Sequence, residues 1–105
     1  MKTMEKNHQD QTALLSERIS IKPPSLYKVI IINDDYTTCD FVVYILERIF
    51  SMSSERAEKI MFKSHYEGLA ICGVYSLEIA ETKAALVLSL AIQEGFPLRC
   101  VTEEM

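Results

Sequence analysis

Apolar positions along the chain change their spacing from one segment to the next, and the spacing predicts the elements. Residues 27–32 (YKVIII) form a near-continuous apolar run closed by Asn33-Asp34-Asp35. A short, β-branched run of this kind predicts a buried strand. Over residues 38–50 the apolar side chains (Phe41, Val42, Val43, Ile45, Leu46, Ile49, Phe50) cover most of a helical circumference, which predicts a largely buried helix. Thr37 followed by Asp40 fits its start, with both side chains serving free backbone N–H groups. Residues 54–66 predict a second helix, capped by Ser53 with Glu55 in its first turn. Here Ala57, Ile60, Met61, Ser64 and His65 recur at the i, i+3, i+4, i+7, i+8 spacing of one face. That spacing puts His65 on the apolar side, one turn after Met61.

Gly68 ends this helix, and residues 69–75 (LAICGVY) predict a strand with a bend or bulge at Gly73. Ser76 caps a third helix over residues 77–93. Its apolar residues are Ile79, Ala80, Ala84, Val87, Leu88, Ala91 and Ile92, against a more polar stripe of Glu78, Thr82, Ala85, Ser89 and Gln93. Gly95 and Pro97 stop it, and residues 98–102 form a last short strand. The order β-α-α-β-α-β describes a small α+β domain, a three-stranded antiparallel sheet packed against three helices. Helices separate the strands, so hairpin logic does not fix their order in the sheet. Residues 1–22 lack a sustained apolar period and are expected to be a flexible arm. Pro23 and Pro24 then keep the chain extended, so the core domain is assigned to residues 23–105.

Charge narrows the range of partners. The chain carries -4 overall. Up to Leu26 there are four Lys/Arg and three Asp/Glu, and after it seven and twelve, so the core holds the acidic excess. An acidic domain with no basic stripe is a poor nucleic-acid binder. Cys39, Cys72 and Cys100 are odd in number and form no C-x-x-C. With no signal-like start and no apolar run of membrane-spanning length, free thiols in a reducing cytoplasm are expected. Zinc is not expected, since His8 and His65 lie at no ligand spacing from a cysteine pair.

The candidate chemistry gathers at Asn33, Asp34 and Asp35. Asn and Asp favour turns, because their side chains bond nearby backbone groups. Three together after an apolar strand offer more acceptors than a turn consumes, which suits a cation or an ammonium group. A Mg²⁺ or Ca²⁺ site would need more oxygen ligands at a loop spacing that is absent here. A hydrolase could pair Cys39 or a carboxylate with His65, but no glycine-rich oxyanion loop accompanies them. An apolar helix face ending in His65, beside an acceptor-rich turn, fits a ligand with an ammonium next to a bulky apolar group. The N-terminus of a polypeptide is such a ligand.

The segments KPPSLYKVIIINDDYT, HYEG, AICGVYSLEIAETK and PLRC resemble the ClpS family, the N-degron (N-end rule) adaptors of the bacterial ClpAP protease. The resemblance covers residues 22–103. It implies a non-enzymatic adaptor, without cofactor or metal. Such an adaptor binds polypeptides that begin with Leu, Phe, Tyr or Trp and delivers them to the AAA+ unfoldase ClpA. It also implies a monomer, with no contact to membrane or nucleic acid. By similarity, Asn33, Asp34 and His65 hold the α-ammonium, and Asp35 supports the turn. Thr37, Thr38, Cys39, Val42, Met61, Ser64 and Leu98 line the side-chain pocket. Glu78 and Lys83 match the ClpA-binding face, and the arm matches the extension that engages the unfoldase.

The chain also departs from the family pattern. Where the family commonly reads Asp-Asp-Tyr-Thr-Pro-Met-Glu-Phe, this chain has Asp34-Asp35-Tyr36-Thr37-Thr38-Cys39-Asp40-Phe41, and Ser64 replaces an apolar residue. These changes imply a roomier pocket that admits β-branched Ile or Val. The rival readings are a paralogue of the same fold without amine recognition and, more remotely, a small cysteine or carboxylate hydrolase.

Overall fold

The computed structural model describes residues 24–105; the expected arm at residues 1–22 lies outside them. The apolar run becomes β1 (Leu26–Ile32), with Val29, Ile30 and Ile31 buried. Helices α1 (Cys39–Arg48) and α2 (Ser54–Glu67) follow, then β2 (Leu69–Ser76), α3 (Leu77–Glu94) and β3 (Arg99–Glu104). The sheet has the order β2-β1-β3, and β1 is antiparallel to both neighbours. The first strand in sequence is therefore the middle strand in space. Its register sets Ile30 between Ile71 and Val101 and Ile31 between Ala70 and Cys100.

Side chains alternate across a pleated sheet, so Val29, Ile31, Ala70, Cys72 and Cys100 are buried toward the helices. The helices answer with Phe41, Val42, Ile45 and Leu46 from α1, Ala57 and Met61 from α2, and Ala80, Ala84, Val87 and Ala91 from α3. Each large aliphatic side chain fully removed from water, such as Ile31, Ile45 or Leu46, contributes about 1.5–3 kcal/mol. The expected bulge is present. Val29 pairs with Gly73 and Ile30 with Ile71, leaving Cys72 as the extra residue beside Gly73.

Three local expectations need correction. The N-cap of α1 is Thr38, whose hydroxyl accepts from Phe41 N at 3.2 Å; Thr37 is used elsewhere. Ser76 caps α3 by position only, with no side-chain bond. Ile79, Leu88 and Ile92 of α3 are exposed, Ile92 at 78%. The helix meets the sheet through small residues and Val87, and its outer face stays apolar. Lys83, expected on the unfoldase face, is half-buried. Its ammonium donates to the Ile49 carbonyl at 2.8 Å and lies 5.2 Å from the centre of the Tyr75 ring. It braces the carbonyl end of α1, where a cation is electrostatically favoured. Glu78, by contrast, is exposed.

Candidate functional site

Residues 33–38 carry the chain from the end of β1 to the start of α1. The Asn33 N–H donates to the Gly68 carbonyl at 2.9 Å, tying the loop to the end of α2. Gly68 closes α2 in the left-handed conformation, φ 93°, with its own N–H donating to Ser64 O. One backbone bond thus sets the loop beside the helix turn that carries Ser64 and His65.

Asp34 organises the loop interior. Its Oδ1 accepts from Tyr36 N at 2.8 Å and from Thr37 N at 2.7 Å, and its Oδ2 accepts from the Thr37 hydroxyl at 2.8 Å. Burial alone would raise its pKa. The bonds from Thr37 N, Thr37 Oγ1 and Tyr36 N outweigh that, and the carboxyl titrates below its ordinary value. A carboxylate offers about four acceptor sites, so one Oδ2 lone pair remains for a ligand. The supporting role expected of Asp35 is thus filled by Asp34. Asp35 is exposed, with no hydrogen-bonded partner among the described residues.

Loop, α1 and α2 together enclose a cavity of about 340 Å³. The stretch from Asn33 through Cys39 forms one wall, Val42 comes from α1, and Met61, Ser64 and His65 come from α2. Val42 and Met61 are buried and apolar, while Asn33 and His65 are exposed. The predicted ammonium acceptors and most of the predicted pocket therefore share one cavity. Leu98 is not among the lining residues; it is buried in the core, 5% exposed. Tyr36, which sequence reasoning left out, lines the cavity and is 77% exposed. Its place between Asp35 and Thr37 was the available signal.

His65 sits at the rim rather than on the buried face. Its ring meets the Tyr66 ring edge-on at 5.0 Å. Ser64, one position earlier, is the buried one; its hydroxyl donates to Met61 O at 2.7 Å. Cys39 is exposed and lines the cavity with His65, but no hydrogen bond joins them among the described residues. No Lys or Arg is among the lining residues, whereas Asp34 and Asp35 both are. The cavity is thus lined by acceptor groups together with apolar side chains. No group of three His, Cys, Asp or Glu suited to a metal occurs among the described residues. No described helix is long and apolar enough to cross a membrane.

Comparison with known proteins is consistent along the chain. Residues 22–101 match the family model for the ATP-dependent Clp protease adaptor protein ClpS. The Clp protease adapter ClpS of Vibrio atlanticus is 52% identical over 92 residues, covering 88% of this chain and 87% of its own. Its counterpart from Herminiimonas arsenicoxydans is 49% identical over 98 residues, covering 93% and 96%. Among solved structures, Agrobacterium tumefaciens ClpS2 bound to L-phenylalaninamide superposes with a TM-score of 0.77 at 41% identity, over 79% of this chain and 100% of that one. With this fold, this loop and these relatives, the chain belongs to the ClpS family of ATP-dependent Clp protease adaptors.

Proposed function

We propose that the cavity receives the free N-terminal residue of a polypeptide and that the protein delivers that polypeptide to the ClpA unfoldase of ClpAP. The observation that carries this is one cavity lined both by acceptor groups and by buried apolar side chains. The ligand of the solved relative, phenylalaninamide, has the matching halves, an ammonium and an aromatic ring separated by two carbons.

An ammonium has donors only, so it needs acceptors. The Asn33 side-chain carbonyl, the remaining Asp34 lone pair and a neutral imidazole nitrogen of His65 supply them. Removing the cation from water costs several kcal/mol unless these bonds form. The first side chain, Leu, Phe, Tyr or Trp, then lies against Val42 and Met61, with Thr37, Thr38, Cys39 and Ser64 completing the wall. Its burial contributes about 1.5–3 kcal/mol. This is amine capture combined with a side-chain pocket, a recurring mode of peptide recognition. Delivery uses a separate surface that includes the exposed Glu78 at the start of α3. The protein acts as a cytoplasmic monomer and makes no covalent intermediate.

Fluorescence anisotropy with peptides beginning in Leu, Phe, Ile, Val or Glu, each free and N-acetylated, tests this. Free Leu and Phe peptides should bind best. Acetylation, which removes both charge and donors, should weaken them by about tenfold or more. Equal binding of free and acetylated peptides would sink the receptor reading. Ile and Val should bind measurably, because Cys39 is smaller than methionine. Cys39→Met should depress both relative to Leu; an unchanged ranking removes the case for a roomier pocket.

A further inference from the structure

A second concavity adjoins the first. It measures about 660 Å³ and lies between α1 and the C-terminal end of α3. Its apolar lining is Phe41, Tyr44, Leu90 and Phe96. The Phe41 and Phe96 rings pack at 5.0 Å and 56° to form the base. Tyr44 stands 43% exposed, its ring backed by the Arg48 guanidinium at 5.2 Å. Asp40 and Glu94, both exposed, rim the opening. Thr38 lines this groove and the first cavity alike.

We propose that this groove is a second subsite for the same polypeptide. It accepts an apolar or aromatic side chain, flanked by a basic one, from the few residues that follow the anchored first residue. The inference rests on the reading of the first cavity as an N-terminus receptor and extends it. Thr38 borders both concavities, so a chain leaving the first meets the second by crossing the N-terminal end of α1. An extended chain advances roughly 3.4 Å per residue, and a helix with its side chains is about 10 Å across. Three or four residues therefore suffice for the crossing. The exposed Tyr44 ring and the partly exposed Phe96 offer burial to an apolar side chain. Asp40 and Glu94 continue the negative charge of Asp34 and Asp35, so the path favours Lys or Arg and disfavours Asp or Glu.

The test compares three ligands on the full-length protein by anisotropy or competition. They are phenylalaninamide, a peptide starting with Phe and carrying Leu and Arg at its third to fifth positions, and the same peptide with Glu there. The Leu/Arg peptide should bind the wild-type protein about threefold to tenfold more tightly than the Glu peptide, a gap that shrinks with added salt. Tyr44→Ser should remove much of the Leu/Arg advantage and leave phenylalaninamide affinity unchanged. Glu94→Gln, a milder change at the exposed rim, should narrow the gap between the two peptides and serves if Tyr44→Ser folds poorly. Equal affinity of the two peptides would overturn the proposal. So would a Tyr44→Ser effect that is the same for amide and peptides, or one on oligomeric state instead, which would assign the groove to a second copy. If wild-type protein fails to bind phenylalaninamide at all, the receptor reading itself falls, and this one with it.

Discussion

Asp34 sits in a run of three acceptors, yet its neighbours Asn33 and Asp35 present exposed side chains while Asp34 is spent mostly on the loop. Asp34→Asn keeps the shape but gives up the charge and turns one acceptor into a donor facing the Thr37 hydroxyl. Charge-assisted bonds are worth more than neutral ones, so the change should cost about 1–2 kcal/mol, the lower end reflecting solvent near the loop. Asp35→Asn, with no partner to lose among the described residues, should be near neutral in urea melts. The sign of the acid response follows from the lowered pKa. Ionised Asp34 stabilises the fold fully above its ordinary value of 3.8, and that contribution is lost as pH falls through the still lower folded value. Melts between pH 5 and 3 should show a shallower acid limb for Asp34→Asn than for the wild type. Identical limbs would mean that the three bonds do not hold the carboxylate in its ionised form.

At the scale of elements, the site depends on the junction between α2 and β2. Gly68 takes φ 93° with open space around the position where a Cβ would stand, so a substitution meets backbone strain and no steric neighbour. Gly68→Ala should cost about 1–2 kcal/mol. It should also weaken binding of a free-Phe peptide, because Asn33 N bonds the Gly68 carbonyl and any shift there moves Asn33 relative to His65. Gly68→Asn, which tolerates the left-handed region better, should recover part of both losses; no recovery would place the defect elsewhere. This junction was legible in the sequence, since a glycine after a periodic apolar segment has one common use. Most elements were legible for the same reason, their spacing being visible locally. The choice between Thr37 and Thr38 as cap was not, because two adjacent hydroxyls are distinguished only by Asp34 claiming one of them. The exposed side of α3 was hidden by large apolar residues scattered around the helix, while small Ala80, Ala84 and Ala91 do the packing with Val87. The middle position of β1 depends on partners about forty to eighty residues away, which no local period reports. Leu98 was carried to the pocket by similarity alone; it is buried in the core and is not among the residues that line the cavity.

Over the whole molecule the three thiols divide by depth. Cys39 is exposed at the cavity rim, whereas Cys72 and Cys100 lie on the inner face of the sheet, each 5% exposed. Burial pushes the Cys72 thiol up to about 12, with the neighbouring Cys100 adding to it, and burial pushes Cys100 up to about 11. A thiolate inside this core has lost its water, so the folded state holds both groups protonated. The native protein should therefore titrate one thiol rapidly with a disulfide reagent, and three after denaturation. A saturating free-Phe peptide should slow the reaction of Cys39, since it occupies the cavity that Cys39 lines. The same depth predicts a one-sided pH response. Below the ordinary thiol value of 9.0 both groups are protonated folded or unfolded, and their contribution is fully present. As pH rises beyond it, the unfolded chain ionises while the folded one does not. Stability then falls by up to about 1.4 kcal/mol per thiol per pH unit, until the raised folded values are reached. Urea midpoints measured from pH 8 to 10.5 should decline with that slope, and Cys100→Ala should flatten it even though the variant starts from a lower stability. A flat wild-type profile, or three rapidly reacting thiols in the native protein, would show that the sheet's inner face opens to solvent far more readily than its packing implies.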